Sequence, residues 1–176
     1  MTNGTVLWIT GFSAAGKSTI AREAVAGLRA HGIPAILLDG DDVRAAIADV
    51  AAGHDPGSRL TNAYRIARLA RLLAIQKTVV VVATMSLFRE IHDWNRRHLP
   101  GYFEVLLNAD MDVRARRDPK GLYARAFAGD EHNVVSVDIV GDLPSAPDLA
   151  IANDGGLEDV ASVTHRIVEG FLRQRR

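Results

Sequence analysis

The chain has 176 residues, of which 48% are hydrophobic and 24% charged, and its 21 basic residues balance 21 acidic ones. This is the composition of a globular protein with a sizeable core, most simply a single domain over residues 1–176. The zero net charge gives no attraction to nucleic acid or to a membrane surface, and the absence of cysteine excludes disulfides, thiolate catalysis and cysteine zinc sites.

Apolar runs of strand length alternate with helical patterns along the chain. Strands are predicted at 6–10, 35–38, 79–83, 103–107 and 149–151. Helices are predicted at 17–30, 59–76, 87–98 and 157–173, with a broken helical region at 113–128. The hydrophobicity of the strands is mostly continuous rather than alternating, which is typical of strands covered on both faces. The alternation predicts an α/β fold with a doubly wound, parallel five-stranded sheet.

The segment between the first strand and the first helix reads Gly-Phe-Ser-Ala-Ala-Gly-Lys-Ser and matches GxxxxGK(S/T). Gly11 and Gly16 let backbone N–H groups wrap a phosphate chain closely, and Lys17 adds a positive charge. Ser18 offers a hydroxyl to magnesium, and the helix that follows turns its positive end toward the anion. We therefore predict a three-layer P-loop NTPase fold that binds a nucleoside triphosphate with Mg²⁺. The residues predicted to bind the nucleotide are Gly11, Ser13, Ala14, Ala15, Gly16, Lys17, Ser18 and Thr19.

Three aspartates, at 39, 41 and 42, follow the second predicted strand directly. Open α/β sheets bind ligands at the carboxyl ends of their strands. Asp39 and Asp41 are therefore candidates to face the magnesium ion and an attacking hydroxyl, because phosphoryl transfer requires mainly positioning and charge neutralisation. The structural alternative is an Asp-Gly turn with a helix N-cap at Asp41 or Asp42.

The segment 118–147 is dense in glycine, proline and aspartate and is long for a connection within a compact domain. We interpret about 118–140 as a lid, with a disordered insert as the alternative. The six histidines show no ligand-like spacing, so no metal other than magnesium is expected. No basic segment followed by a long apolar run opens the chain, and we expect a cytoplasmic protein.

Four segments, in this order, carry a resemblance to a known family. They are 11–19, Leu-Asp-Gly-Asp-x-Val-Arg at 38–44, Arg-x-x-Asn-x-x-Arg at 59–65 and Arg-Asp-Pro-Lys-Gly-Leu-Tyr at 117–123. With these motifs the chain resembles the adenylylsulfate kinase family over nearly its whole length. The resemblance implies transfer of the ATP γ-phosphate to the ribose 3′-hydroxyl of a small nucleotide whose 5′ end carries a second acidic group. It also implies a homodimer.

The resemblance implies roles for individual residues. Asp39 becomes the catalytic carboxylate and, with Ser18, a magnesium ligand, while Lys17 acts on the ATP phosphates. Arg117 packs on the base or phosphates of ATP, with a plain surface arginine as the alternative. The residues implied to hold the acceptor nucleotide are Asp41, Arg44, Arg59, Asn62 and Lys120. Ser86, just past the third strand, is a further candidate for the acceptor, although a cap for the next helix explains it equally well.

Two phenylalanines that sandwich the acceptor adenine in typical adenylylsulfate kinases are missing from this chain. His54 lies in the segment where the first is found, and Val134 lies in the segment of the second. Stacking on an aromatic side chain contributes about 1–3 kcal/mol per base. We therefore expect the acceptor base to be held differently, with His54 and Val134 as substrate-binding positions that decide its identity.

The variant motifs are similar to those of the cytidine diphosphoramidate kinases, a branch of the same family. They are Ser-Leu-Phe at 86–88, Trp-Asn-Arg at 94–96 and Asn-Val-Val-x-Val-Asp at 133–138. This resemblance implies cytidine 5′-diphosphoramidate as the acceptor, in capsule phosphoramidate biosynthesis. One alternative is an adenylylsulfate kinase of sulfate assimilation, with an adenine site rebuilt from Phe88, Trp94 and Tyr123. Trp94 is equally explained by core packing. An alternative of another class is a non-catalytic nucleotide-binding regulator.

Overall fold

The computed structural model describes residues 4–47, 55–132 and 134–175. The strands are β1 (Thr5–Thr10), β2 (Ala35–Asp39), β3 (Val79–Thr84), β4 (Phe103–Asn108) and β5 (Leu149–Ala152). The helices are α1 (Lys17–Ala30), α2 (Gly40–Ile47), α3 (Pro56–Ala74), α4 (Arg89–His98), α5 (Met111–Arg117), α6 (Leu122–Ala128) and α7 (Val160–Gln174). A single 3₁₀ turn, Leu157–Asp159, precedes α7.

The five strands form one parallel sheet in the order β2-β3-β1-β4-β5. The central strand β1 pairs with β3 from Thr5 opposite Val79 to Thr10 opposite Thr84, and with β4 on its other side. The carboxyl ends of all strands therefore lie along one edge, where Asp39 is the last residue of β2. This confirms the parallel five-stranded sheet predicted from the sequence.

The sheet separates two apolar clusters. Leu7 and Ile9 of β1 pack with α1 and α7, whereas Val6 and Trp8 pack with α3 and α4. Successive strand residues point to opposite faces, so a strand covered on both faces is apolar at every position. The three layers predicted from the uninterrupted apolar runs are confirmed.

Helix boundaries differ from the prediction where local caps decide them. Helix α3 begins at Pro56 because the Asp55 carboxylate accepts the backbone N–H of Ser58 at 3.1 Å and proline occupies the first turn. The prediction lacks α2, which follows β2 without a loop. The broken helical region consists of α5 and α6 on either side of a turn at 118–121.

The segment 118–140 contains α6 and a turn in which Val135 bridges Ile139. Its function as a lid stays a prediction. Within the described ranges, none of the helices combines the length and the apolar character needed to cross a membrane.

Candidate active site

A cleft of about 840 Å³ opens at the carboxyl edge of the sheet. Residues that follow β1, β2 and β3 line it, together with α3 and parts of the segment 117–142. The predicted site residues that line the cleft are Ser13, Ala14, Gly16, Lys17, Ser18, Thr19, Asp39, Asp41, Arg44, Arg59, Asn62, Ser86, Arg117 and Lys120. Gly11, Ala15 and Val134 do not line it, and His54 lies outside the described residues.

The two glycines of the phosphate loop (residues 11–18) are required by close packing. Gly16 has φ +91°, and a Cβ there would lie 2.6 Å from Asn153 Nδ2. Gly11 has φ +151°, and a Cβ there would lie 2.0 Å from the carbonyl oxygen of Leu107. Such backbone conformations and approaches suit a residue without a side chain. Gly11 thus allows the phosphate loop to lie directly against β4.

Three backbone carbonyls of the phosphate loop accept hydrogen bonds from side-chain donors. The bonds run from Lys17 Nζ to Phe12 O (2.7 Å), from the Tyr123 hydroxyl to Ser13 O (3.1 Å) and from Asn153 Nδ2 to Ala15 O (2.8 Å). The other side of these planar peptide units carries the N–H groups of Ser13, Ala14 and Gly16, and these three residues line the cleft. The loop therefore presents N–H donors to an anion in the cleft.

Lys17 is half-buried at the start of α1, and the loss of hydration around its ammonium group lowers its pKa to about 8. The carboxylates of Asp41 and Asp39 oppose this shift, while the charges of Lys120 and Arg114 add to it. A bound anion would favour the charged form again. Lys17 is thus a cation that a phosphate group stabilises.

Asp39 presents one free carboxylate oxygen to the cleft. Its side chain is 5% exposed, and Oδ1 accepts the backbone N–H of Asp41 at 3.0 Å. Oδ2 is buried and has no partner among the described residues. With the Ser18 hydroxyl in the same cleft, this oxygen suits Mg²⁺, which protein sites commonly hold through one or two carboxylates, water and substrate phosphates. Within the described ranges, no three His, Cys, Asp or Glu side chains gather into a separate metal site.

Three arginines bring unpaired donors to the cleft. Nη1 of each of Arg44, Arg59 and Arg117 is buried without a hydrogen-bond partner among the described residues. Burial, and the neighbouring charge of Arg44, lower the pKa of Arg59. Arg117 also donates Nη2 to the carbonyl of Gly155. Buried guanidinium donors left unpaired in a cleft indicate an acidic ligand, because phosphate oxygens match their geometry.

An ion pair crosses from the segment 118–140 to α2. Lys120 Nζ lies 2.5 Å from Asp41 Oδ2, and the two side chains are 64% and 68% exposed. Exposed pairs of this kind contribute little stability. The pair is therefore free to exchange partners when a ligand enters the cleft.

The structure distinguishes between several sequence interpretations. Ser86 is buried and its Oγ lies 2.9 Å from Thr84 Oγ1, whereas the N-cap of α4 is Phe88, so Ser86 does not cap that helix. Val134 is 1% exposed, and its neighbour Val135 lines the cleft instead.

Of the three aromatic residues considered for an adenine site, only Phe88 lines the cleft. Trp94 stacks on His98 with ring centroids 4.6 Å apart and packs against the second core cluster, in agreement with the core-packing alternative. Tyr123 is fully buried beneath the phosphate loop.

Sequence reasoning missed Arg114, which is 5% exposed. Its Nη1 donates to the Tyr123 hydroxyl and to Ser136 Oγ, both at 2.7 Å, and its guanidinium lies 4.5 Å over the Phe12 ring. It thereby joins α5, α6, the Val135–Ile139 turn and the phosphate loop. A signal was present, because Arg114 precedes the motif residue Arg117 by three positions on the same helical face.

Comparisons with known proteins agree with this geometry. A sequence profile of the family described as Adenylylsulphate kinase matches residues 3–152. The chain is 38% identical over 151 residues to the "Cytidine diphosphoramidate kinase" of Campylobacter jejuni, covering 86% of this chain and 87% of that one. It is 35% identical over 172 residues to the "Probable adenylyl-sulfate kinase" of Bacillus subtilis, covering 97% and 85%. It spans 30% of the length of a "Probable bifunctional SAT/APS kinase 2" of Sorangium cellulosum.

Among solved structures, the Mycobacterium tuberculosis APS kinase CysC in complex with AMPPNP and APS is similar to this fold. The TM-score is 0.84 at 31% identity, over 96% of this chain and 99% of that one. This similarity confirms the three-layer P-loop NTPase fold.

Proposed function

This chain belongs to the adenylylsulfate kinase family, and on that premise we propose that it transfers the γ-phosphate of ATP to the ribose 3′-hydroxyl of cytidine 5′-diphosphoramidate. Membership makes it a kinase, a phosphotransferase that acts on a hydroxyl group. One observation carries the choice of acceptor: among the described residues, Phe88 is the single aromatic side chain that lines the cleft. The pair of aromatic plates that an adenine acceptor uses in typical relatives has no counterpart there.

The donor half of the reaction falls to the phosphate loop. Its N–H groups and Lys17 hold the ATP phosphates, and Ser18 and Asp39 hold magnesium, which neutralises charge on the phosphate oxygens when bound. Asp39 orients the ribose 3′-hydroxyl and accepts its proton as the oxygen attacks the γ-phosphorus. The bond from the γ-phosphorus to the bridging oxygen breaks, and ADP leaves with that electron pair.

The acceptor half falls to cations on the opposite side of the cleft. Arg44 and Arg59 bind the acidic 5′ group, whose oxygens satisfy the unpaired Nη1 atoms. Asn62 of α3 and Ser86 add polar contacts to the nucleotide. Lys120 exchanges Asp41 for the acceptor when the lid closes.

We further propose that residues 1–176 form a single kinase domain that pairs as a homodimer, with 118–140 as its lid. Size-exclusion chromatography with light scattering measures the dimer. Limited proteolysis without ligand should yield one resistant core, nicked only within the lid; cuts that divide the chain into two stable fragments contradict the single domain.

Adenylylsulfate is the second candidate acceptor, favoured by the likeness to the M. tuberculosis enzyme solved with APS. Incubating the protein with Mg-ATP and either acceptor, while following ADP release, compares the two. We expect the larger kcat/KM with cytidine 5′-diphosphoramidate. A comparable or larger value with adenylylsulfate would falsify the cytidine assignment. Absence of turnover with every nucleotide acceptor would instead favour a non-catalytic regulator.

The role of Asp39 has a matched control in Asp42, a neighbouring exposed carboxylate that does not line the cleft. Asp39→Asn should lower kcat by about 10²–10⁴-fold while ATP still binds, because proton acceptance contributes a factor of that order. Asp42→Asn should leave kcat within about twofold, since exposed substitutions away from the site change little. Rates that barely move for Asp39→Asn contradict its catalytic role.

A further inference from the structure

One wall of the cleft is built where residues 87–89 run beside residues 140–142, a region we call the junction. The backbone N–H of Asp142 donates to the carbonyl of Leu87 at 3.0 Å. The backbone N–H of Arg89 donates to the Asp142 carboxylate at 3.3 Å. The chain that leaves β3 is therefore bonded to the end of the proposed lid.

Close packing reinforces the junction. A Cβ placed on Gly141 would lie 2.8 Å from Cγ1 of Val135 and 3.2 Å from Cβ of Leu87. The Gly141 backbone thus rests directly on both side chains, a separation that a larger residue would not permit. Leu87 and Val135 are themselves buried.

A buried ring anchors the junction to the core. His92 Nε2 lies 3.0 Å from the carbonyl oxygen of Asp142, and Nδ1 lies 2.7 Å from Glu104 Oε1. His92 is 7% exposed and Glu104 is 2% exposed. Arg96 adds a bond from Nη2 to the carbonyl of Ala146 at 3.1 Å. Residues 141 and 142, which follow the proposed lid, are therefore tied to the core before any ligand arrives, which reduces the ordering cost of binding.

Two apolar residues of the junction line the cleft without taking part in the hydrogen bonds or the Gly141 contacts described above. They are Phe88 and Val140. Phe88 is half-buried, with part of its ring packed against the second core cluster. Val140 is 93% exposed, the highest value among the large hydrophobic residues that the structure describes. An apolar side chain exposed to solvent beside this anchored segment gains free energy when a flat apolar ligand covers it.

We propose that Phe88 and Val140 hold the base of the acceptor nucleotide and determine which base the protein accepts. This proposal rests on the two-nucleotide reaction proposed above. The pair supplies one aromatic ring and one isopropyl group. One ring and one isopropyl group offer less stacking surface than two aromatic plates, which favours the single ring of a pyrimidine over the fused rings of adenine. The occupant assigned to the junction is therefore a pyrimidine nucleotide.

The test compares variants of the protein on one acceptor, the one for which the wild-type protein has the larger kcat/KM, whichever base that acceptor carries. Phe88→Ala should raise the KM for that acceptor about tenfold, in line with the loss of one stacking contact. Val140→Ala should raise it about threefold, in proportion to the smaller apolar area removed. The KM for ATP should stay within about twofold in both, because neither residue belongs to the phosphate loop.

Two further variants separate binding from folding. Phe88→Leu keeps apolar bulk against the core, so its melting temperature should match the wild type while the acceptor KM still rises. Leu143→Ala is the matched control for Val140→Ala, because Leu143 is also exposed on this segment and does not line the cleft. Its acceptor KM should equal that of the wild type.

The variant Val140→Phe tests which base the protein prefers, because it adds a second aromatic ring at an exposed position. The ratio of kcat/KM for adenylylsulfate to that for cytidine 5′-diphosphoramidate should rise about tenfold. A wild-type preference for adenylylsulfate would sink both the proposed acceptor and the pyrimidine. An unchanged acceptor KM in Phe88→Leu and Val140→Ala would sink only the base-holding role and leave the proposed function standing.

Discussion

Lys17 illustrates how a single residue couples burial to ligand charge. Its ammonium group donates to the carbonyl of Phe12 and lies at the start of a helix, whose positive end favours an anion rather than a cation. Burial accordingly lowers its pKa to about 8. Phosphate oxygens reverse this balance, because a nearby anion favours the protonated amine.

ATP binding should therefore take up a proton above pH 8. Below about pH 8 Lys17 is already charged in the free protein, and the affinity should be flat. Between pH 8 and 9.5 the affinity should fall, by at most about tenfold per pH unit for a single proton. Isothermal titration calorimetry in buffers of different ionisation enthalpy measures both effects. Lys17→Ala should bind more weakly and lose the pH dependence. An equal dependence in that variant contradicts the assignment.

The same shift affects the ligand-free protein. In the unfolded chain Lys17 has the ordinary lysine pKa of 10.5, so between pH 8 and 10.5 the unfolded state binds more protons than the folded state. The free energy of unfolding contributed by this group therefore rises with pH across that window.

Site residues were predictable where spacing along the chain carries the chemistry. Lys17 and Ser18 follow from a continuous motif, and Asp39 follows from its place at the end of a strand. The spacing of Arg114 from Arg117 marks its position but does not predict its role, because its partners lie at remote positions brought together by tertiary packing. Phe88 and Trp94 looked alike in the sequence, and the packing alone distinguishes the cleft residue from the core residue.

At the scale of elements, α6 and the phosphate loop are joined by one hydroxyl group. The Tyr123 hydroxyl accepts from Arg114 at 2.7 Å and donates to Ser13 O at 3.1 Å. Helix α6 belongs to the proposed lid, so the donor site and the lid share a buried contact. Occupation of the loop by ATP should therefore restrain the lid.

Tyr123→Phe should uncouple these two elements. It removes the hydroxyl from a fully buried position and should lower the free energy of unfolding by about 1–2 kcal/mol. With a non-hydrolysable ATP analogue bound, trypsin cleavage within 118–138 should slow in the wild type and remain fast in the variant. Tyr64→Phe is the control, because its hydroxyl meets Glu90 at 3.2 Å on the surface. Equal protection in wild type and Tyr123→Phe contradicts the coupling.

The strands were readable from the sequence because both faces of the sheet are covered, which makes most strand positions apolar, with Glu104 of β4 as a buried exception. Helix α2 was not readable, since it begins with Gly40-Asp41-Asp42, residues that also favour turns. Its start is decided by the end of β2 and by the Asp41 N–H, which the Asp39 carboxylate accepts.

At the scale of the whole molecule, a partly buried polar network centred on Glu104 joins α4, β4 and the segment before β5. Glu104 accepts from Tyr102 and Arg96, and its Oε1 lies 2.7 Å from His92 Nδ1. Asp148 accepts from Arg96 at 2.7 Å and from the Glu104 backbone at 2.7 Å. These contacts lie behind the junction and away from the phosphate loop. They contribute to stability and to the shape of one wall.

His92→Leu should lower the free energy of unfolding by about 1–3 kcal/mol, because it removes the ring nitrogens that form hydrogen bonds with the buried Glu104 side chain and the carbonyl of Asp142. Urea unfolding measures the change. Arg125→Ala is the control, since its pair with Glu131 is 49% and 32% exposed and should contribute about 1 kcal/mol or less. A cost for His92→Leu no larger than that of the control would contradict the network's role.

The hydrogen bond from Asn153 to Ala15 has a consequence for folding during synthesis of the chain. The phosphate-binding motif is fully translated within the first 18 residues, yet the donor that holds its Ala15 carbonyl lies 138 positions further on, just past the last strand. A nascent chain halted before β5 carries every residue of the motif and lacks that support. We therefore expect nucleotide binding to arise only when the final strand has joined the sheet, late in synthesis, so that a truncated chain does not sequester ATP.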